Sequence, residues 1–302
     1  MELLKDIWTA GIVSATVPAI LARGTVEGLP VTWLPSAGPL RYLADPFGLW
    51  RDGRLHVFAE IYDYRVRVGA IEVLVFDAGF RLLEQRRVLS EPWHLSYPFV
   101  FEAQGTTWML PEANRSRTLT LYRAVEFPFR WEPAHRIVLD QTPIDATPLF
   151  HEGLWWLFYT SAARRGDNNS ALRISWSERL AGPWHAVPGN PVRVDASGGR
   201  PGGTPQIIDG KVMLPVQDCS RTYGGALRPL WFDTLTPGKV AMTAGPSLTA
   251  PASFAPFTAG LHTLAAAGDV TLIDVKRRLF SPRGLAVDLR RKVRKKLLRR
   301  SA

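Results

Sequence analysis

The chain has 302 residues, of which 46% are hydrophobic and 11% aromatic, with 24 Pro, 25 Gly, 11 Trp and a single Cys, enough apolar content to exclude a disordered chain. Lone Cys219 excludes an internal disulfide framework and any multi-cysteine metal centre, and it suits a reducing compartment. The formal charge of +10 is confined to the C-terminus: 12 Lys/Arg and one acid, Asp288, lie between Lys276 and Arg300, leaving 25 basic and 26 acidic groups elsewhere, which excludes a general polyanion-binding surface and any specific nucleic-acid partner.

From the N-terminus, the most apolar stretch is Ile7 to Ala22, broken by Gly11 and Pro18. It falls short of the roughly 18–20 apolar residues that cross a bilayer. Glu2 and Asp6 occupy the region where a secretory signal carries positive charge, so a non-exported, cytoplasmic chain is expected.

Four related segments follow. They run from Asp45-Pro46 through Gly53 to Glu60, from Tyr97-Pro98 through Gly105 to Glu112, from Thr147-Pro148 through Gly153 to Thr160, and from Thr204-Pro205 through Gly210 to Gln217. The glycines are 52, 48 and 57 residues apart, and each is followed seven residues later by a polar side chain. Two short strands joined by a turn at the glycine account for this pattern, with the two polar positions at one end of the hairpin. Further strands are expected at Ala70–Phe76, Thr118–Ala124, Ala171–Ser177 and Leu227–Phe232, and a degenerate fifth copy runs from His262-Thr263 through Gly268 to Asp274.

Multi-stranded repeats of about 50 residues predict an all-β, five-bladed β-propeller over residues 1–280. Blade cores are expected near 45–76, 97–124, 145–177, 204–232 and 262–275, together with the N-terminal strand region. The first strand of each blade faces the axis, so Asp45, Tyr97, either Asp145 or Thr147, and Thr204 are expected at one mouth. The repeat register favours Thr147 over Asp145. A β-sandwich, the competing fold, predicts no fixed step from glycine to polar residue.

Residues 281–302 read as a short basic helix. Leu285, Leu289, Val293 and Leu297 recur every four residues, with Arg290, Arg291, Lys292, Arg294, Lys295 and Lys296 between them. An apolar stripe edged by cations suits the surface of an anionic membrane, so 285–300 is the expected contact and a peripheral position on the inner face the expected location. A solvated terminal helix and a helix docked on a protein partner are the alternatives.

Several strings carry a resemblance. Trp33-Leu34-Pro35, Ala44-Asp45-Pro46-Phe47 and Glu60 with Tyr62-Asp63-Tyr64 come first. Ser96-Tyr97-Pro98-Phe99, Trp108 with Pro111-Glu112, Trp155-Trp156-Leu157-Phe158, Gly182-Pro183-Trp184 and Asn190-Pro191-Val192 follow. The most specific are Arg200-Pro201 with Gly203, Gln217-Asp218-Cys219-Ser220 and Tyr223-Gly224. Together, from about residue 33 to 275, the chain resembles bacterial relatives of the N-terminal five-bladed propeller domain of plant glucosamine inositolphosphorylceramide transferases.

That domain is similar in fold to glycoside hydrolase family 43, whose members place a base on the first blade, a pKa-tuning aspartate on the third and an acid on the fourth. The resemblance implies the base position for Asp45 and the third-blade position for Asp145. The fourth-blade acid is replaced by Gly203-Thr204-Pro205. Losing it while keeping Asp45 fits transfer from an activated sugar, because a phosphate leaving group departs without full protonation. In the plant relatives the established transferase activity lies in a separate C-terminal domain, so glycan context is implied more firmly than transfer.

Glu60, Glu112 and Asp218 are the candidate replacement acids. Arg200 is a candidate partner for a carboxylate or a donor phosphate. Tyr97, Gln217, Thr147, Tyr223 and His262 are candidate substrate-binding residues. No two histidines stand at metal-ligand spacing, so no metal or cofactor is expected. The expected partner is a carbohydrate or activated sugar. Glycosyl transfer in cell-surface glycan or glycolipid assembly leads. A furanosidase- or xylosidase-like hydrolase and a non-catalytic glycan-binding or scaffold propeller are the alternatives.

Overall fold

In the computed structural model, which describes residues 4–164 and 166–298 with side chains as far as Arg291, the chain forms a five-bladed β-propeller followed by one C-terminal helix. Each blade is an antiparallel meander running from the axis outward. The first comprises Arg41–Arg51, Arg54–Asp63, Val68–Phe76 and Leu82–Leu89; the second, Ser96–Ala103, Thr106–Glu112, Leu119–Glu126 and Arg130–Ile137. The third begins with Pro143–His151, Leu154–Ser161 and Ala171–Ser177, and the fourth pairs Arg200–Pro201 and Gln206–Ile208 with Lys211–Asp218, then Ala226–Thr236 and Lys239–Ala244.

The fifth blade is built from both ends of the chain. Gly260–Ala267 and Val270–Phe280 are joined by Leu4–Val13, which pairs along its whole length with Val270–Phe280, and then by Val31–Trp33. The apolar stretch at residues 7–22 is therefore the closing strand plus a short helix, Val17–Arg23. The Thr16 hydroxyl caps that helix, Pro18 sits in its first turn, and left-handed Gly24 ends it. Among the described residues no helix is long and apolar enough to cross a membrane.

The repeating glycines are the second residues of two-residue turns. Asp52-Gly53, Gln104-Gly105, Glu152-Gly153 and Asp209-Gly210 all have positive φ at both positions, the geometry that matches the twist of a tight hairpin. Apolar layers between neighbouring blades form the core. Phe47, Phe58, Leu74 and Phe99 fill one such layer, Trp156, Phe158, Leu214 and Phe232 another. Trp155 packs beside Phe101 and Phe150, so both members of the Trp155-Trp156 pair serve packing between blades.

Candidate active site

At the end of the propeller opposite the glycine turns, the innermost strands share one irregularity. The pairs Ala44 with Glu60, Ser96 with Glu112, and Ile144 with Thr160 are each followed by a β-bulge. The residue after each pair is left-handed: Asp45 at φ 50°, Tyr97 at 46° and Asp145 at 50°. Non-glycine residues adopt this conformation at a cost of order 1–3 kcal/mol, and such strain concentrates at functional sites. In the fifth blade a bulge between Leu261 and Thr263 places His262 at the same level.

This corrects the register expected at residues 145–148. Asp145, not Thr147, stands eight residues before its glycine, as Asp45 and Tyr97 do. Thr147 is fully buried, and its hydroxyl meets the Tyr97 hydroxyl at 2.9 Å and donates to the Asp145 carbonyl. Thr204 is not at this mouth: it lines a cavity with Phe47, Phe99 and Phe150 toward the other end.

Asp45 is at the centre of the cluster. Its Oδ2 accepts the Tyr97 backbone N–H at 3.2 Å, and its Oδ1 lies 3.5 Å from His262 Nε2. Burial pushes Asp45 up to about 7 against the opposing pull of His262. Asp274 organises the other side of that histidine. It accepts from His262 Nδ1 at 2.6 Å, from the Asp45 N–H at 2.8 Å and from the Thr263 hydroxyl at 3.2 Å. The Nδ1 proton is thereby fixed, and Nε2 faces Asp45. Burial alone lowers the proton affinity of His262, but Asp274 and Asp45 outweigh it and the net direction is upward. Trp8, from the N-terminal strand, stacks on the imidazole with ring centres 3.7 Å apart, and Tyr223 meets it edge-on.

The ligand atoms of Asp45, His262 and Asp274 lie within 4.8 Å of one another, a grouping that histidine spacing in the sequence does not reveal. Asp274 is already committed to several donors. In this arrangement the trio is joined by hydrogen bonds centred on Asp274.

Arg200 reaches the mouth through its pairing with Gln217. Its Nε donates to Asp145 Oδ2 at 2.7 Å, Nη1 to the Asn168 carbonyl at 3.0 Å, and Nη2 to the Tyr223 hydroxyl at 3.4 Å. Gln217 Nε2 donates to the same Asp145 oxygen at 3.2 Å. Arg200 is thus committed to a carboxylate rather than presented to a phosphate. Burial raises Asp145 while the guanidinium opposes it, with a net upward shift.

The remaining candidate acids divide. Glu112 accepts from the Ser96 hydroxyl at 2.8 Å and the Asn114 N–H at 2.6 Å. Asp218 alternates away from Gln217, accepting from Ser220 and lying 3.6 Å from Arg228. Glu60 is different: its Oε1 is buried and has no hydrogen-bond partner among the described residues. Burial, then Asp45 and Glu112, hold Glu60 well above the usual carboxylate range. His94 Nε2 approaches that oxygen to 3.6 Å while its Nδ1 accepts the Gly69 N–H, and burial with Arg115 pushes His94 down to about 4.

At the expected fourth-blade acid position the backbone is closed. A Cβ on Gly203 would lie 2.0 Å from the Leu264 carbonyl oxygen, and one on Gly202 2.7 Å from that of His262. The two inner strands bridge here through Gly203 and Leu264. Beside the mouth, between blades one and five, a cavity of about 510 Å³ is lined by Trp8, Tyr42, Arg41, Phe257 and Arg277. Its size suits a small organic ligand.

Sequence reasoning missed three residues here. Asp274 ended the degenerate fifth repeat without being marked as functional. Trp8 carries no signal beyond lying in an apolar strand. Lys276, counted with the basic tail, belongs to the body: it is fully buried, donating to Asp6 at 3.0 Å, to Thr222 at 3.2 Å and to the Tyr223 carbonyl.

Solved structures similar in fold include a family 117 glycoside hydrolase of Zobellia galactanivorans (13% identity, TM-score 0.57, covering 81% of this chain and 88% of that one). The catalytic domain of a family 62 α-L-arabinofuranosidase of Coprinopsis cinerea is similar as well (13%, TM-score 0.54, 80% and 93%). Among curated proteins, glucosamine inositolphosphorylceramide transferase 1 of Oryza sativa is 37% identical over 202 residues, covering 66% of this chain and 27% of the relative. Its namesake in Arabidopsis thaliana is 34% identical over 231 residues, covering 74% and 29%. The chain thus spans less than a third of the length of these relatives. A family model described as glucosamine inositolphosphorylceramide transferase 1, N-terminal, matches residues 32–244, and the chain belongs to that family.

Proposed function

We propose that this propeller is a carbohydrate-active enzyme that transfers a glycosyl group at the mouth defined by Asp45, with Asp45 as the base that takes the acceptor hydroxyl proton. The observation that carries this reading is the state of Asp45. It is a buried carboxyl raised to about 7, held on a strained bulge, with one oxygen on a backbone N–H and the other facing a tautomer-fixed histidine. A general base works best with its pKa near the operating pH.

Transfer is favoured over hydrolysis by the closed backbone at Gly202 and Gly203, which excludes a carboxyl side chain at the fourth-blade position where the resemblance puts the acid. A sugar carried on a phosphate-type leaving group has less need of that proton. Glu60, which burial holds well above the usual carboxylate range, is the carboxyl we assign to supply a proton where a weaker leaving group requires it. The names of the relatives, a glucosamine inositolphosphorylceramide transferase, and of two solved structures, a family 117 glycoside hydrolase and an α-L-arabinofuranosidase, support a sugar-bearing substrate.

A non-catalytic glycan-binding propeller is the second reading, favoured by the pairing of Asp145 with Arg200 and of Asp274 with His262. Calorimetric titration of wild type and Asp45→Asn with nucleotide-sugars, sugar phosphates and free oligosaccharides separates the readings. Binding of an activated donor, with sugar transfer to an acceptor abolished in Asp45→Asn, is the expected result. Release of free sugar from an oligosaccharide points to hydrolysis. Oligosaccharide binding without turnover, unchanged in the variant, supports the binding module.

A further inference from the structure

The inner strands of each blade run from the glycine turns at one end to the bulges at the other. The C-terminal helix, Pro282–Leu298, leaves from the bulge end, because Val270–Phe280 rises past Asp274 and Lys276 before reaching it. The helix crosses toward blade one. Gly284 packs near Lys5, and Asp288 accepts from Lys5 Nζ at 2.7 Å and from Arg67 Nη2 at 2.6 Å. Arg67 belongs to the 63–68 hairpin that continues the strand carrying Glu60. The helix is therefore fixed on the rim of the mouth that holds Asp45.

This docking removes the one acid of the tail from solvent. Asp288 is buried, so the nine Lys/Arg from Arg283 to Arg300 have no exposed carboxylate among them. The Leu289 side chain is 58% exposed, so at this position the stripe read from the sequence is not used to pack the helix on the propeller. Val293 and Leu297 lie outside the described side chains. Around the helix base other apolar side chains are exposed: Val66 on the same hairpin, and Leu4 and Phe280, which pair across the last rung of the closing strands. The opposite end is mixed in charge: its turns carry Asp52, Glu152, Asp209 and Asp269 together with Arg51, Arg54 and Lys211.

We infer that the helix and this apolar rim form a membrane-docking surface for an anionic bilayer, and that docking turns the Asp45 mouth toward the lipid. Exposed leucine, valine and phenylalanine enter the interface beside the cations of the helix, and the end with the glycine turns, mixed in charge, faces away. The inference stands independently of the chemistry at the mouth.

Co-sedimentation of the full chain with phosphatidylcholine vesicles, with and without phosphatidylserine, tests it. Binding is expected only with phosphatidylserine and is lost as salt rises. Arg283→Gln with Arg290→Gln lowers the partition about 30-fold, at about fivefold per charge. Leu289→Asp lowers it by about tenfold or more. Circular dichroism confirms that the variants fold. Orientation is read from an environment-sensitive fluorophore on Val66→Cys or Asp52→Cys in a Cys219→Ser background: a blue shift on phosphatidylserine vesicles at position 66 alone is expected. Failure of the folded chain to bind, equal binding to both vesicle types, or an equal shift at position 52 overturns the proposal. The first of these outcomes leaves the helix as a protein-docking face.

Discussion

Replacing Asp45 with asparagine tests the environment of the central carboxyl directly. In the folded state burial raises Asp45 from 3.8 to about 7, so the folded protein binds a proton there that the unfolded chain has already released. Stability therefore falls as pH rises through this window, since the folded state holds more protons than the unfolded one. The full shift corresponds to about 4 kcal/mol at 1.36 kcal/mol per pKa unit. Part of that is returned through His262, whose cationic form is stabilised by the Asp45 carboxylate and whose net shift is upward. A net gain of about 2–4 kcal/mol for Asp45→Asn above pH 7 is the outcome. Asparagine keeps the acceptor for the Tyr97 N–H, so the bulge retains its hydrogen bond. Urea denaturation of wild type and variant from pH 4 to 8.5 measures this, with the variant's advantage near zero at the acid end and level above about 7. A constant difference across the range, or a variant less stable than wild type at pH 8, refutes the assignment of Asp45 as a destabilising buried carboxyl.

The same method reaches three other positions. Glu60→Gln gains stability relative to wild type as pH rises above the usual carboxylate range, because burial holds the Glu60 carboxyl well above that range; a pH-independent difference refutes this. Arg200→Met strands the buried Asp145 carboxylate and costs about 3–5 kcal/mol at pH 8. The loss shrinks toward pH 4, where Asp145 takes up a proton; a pH-independent loss points to packing alone. Gly203→Ala drives a Cβ into the Leu264 carbonyl at 2.0 Å from a backbone φ of 143°, and a loss of at least about 3 kcal/mol is expected in thermal denaturation. A Gly203→Ala protein as stable as wild type shows that the inner strands of blades four and five can separate without cost.

The architecture is legible because each blade repeats one physical constraint. A two-residue turn with both φ positive calls for glycine at its second position, and that glycine fixes where the inner strand begins and ends. Counting from it located Glu60, Glu112 and Gln217 correctly. The first strands were harder, because a bulge adds a residue against the partner strand. In the third repeat the proline stands five residues before the glycine rather than seven, so the repeat register points to Thr147 while the resemblance points to Asp145, the residue that the bulge brings to the mouth. In the fourth blade the inner strand is interrupted between Pro201 and Gln206, so Thr204 falls out of the ring while Arg200 enters it from the start. Proline marks a position whose N–H is free of the ladder, and that need not recur at one register.

The chemistry of the site was less legible for a topological reason. Its central unit, Asp45 with His262 and Asp274, joins residues more than 200 positions apart, and the aromatic floor, Trp8, comes from the strand that closes the ring. Lys276 illustrates the consequence. It reads as the first residue of a basic tail, yet it is sealed beneath Tyr223 by Asp6, a residue of the opening strand. The aromatic floor of the mouth and the Asp6 partner of Lys276 are therefore in place only when the N-terminal strand has paired with Val270–Phe280. The stack that covers His262 and the ion pair of Lys276 beside it depend on that closure, whereas the relay of Asp45, His262 and Asp274 is drawn from other strands. Ring closure thus completes the candidate active site, and a lesion in Leu4–Val13 reaches Asp45 chemistry through the Trp8 stack on His262.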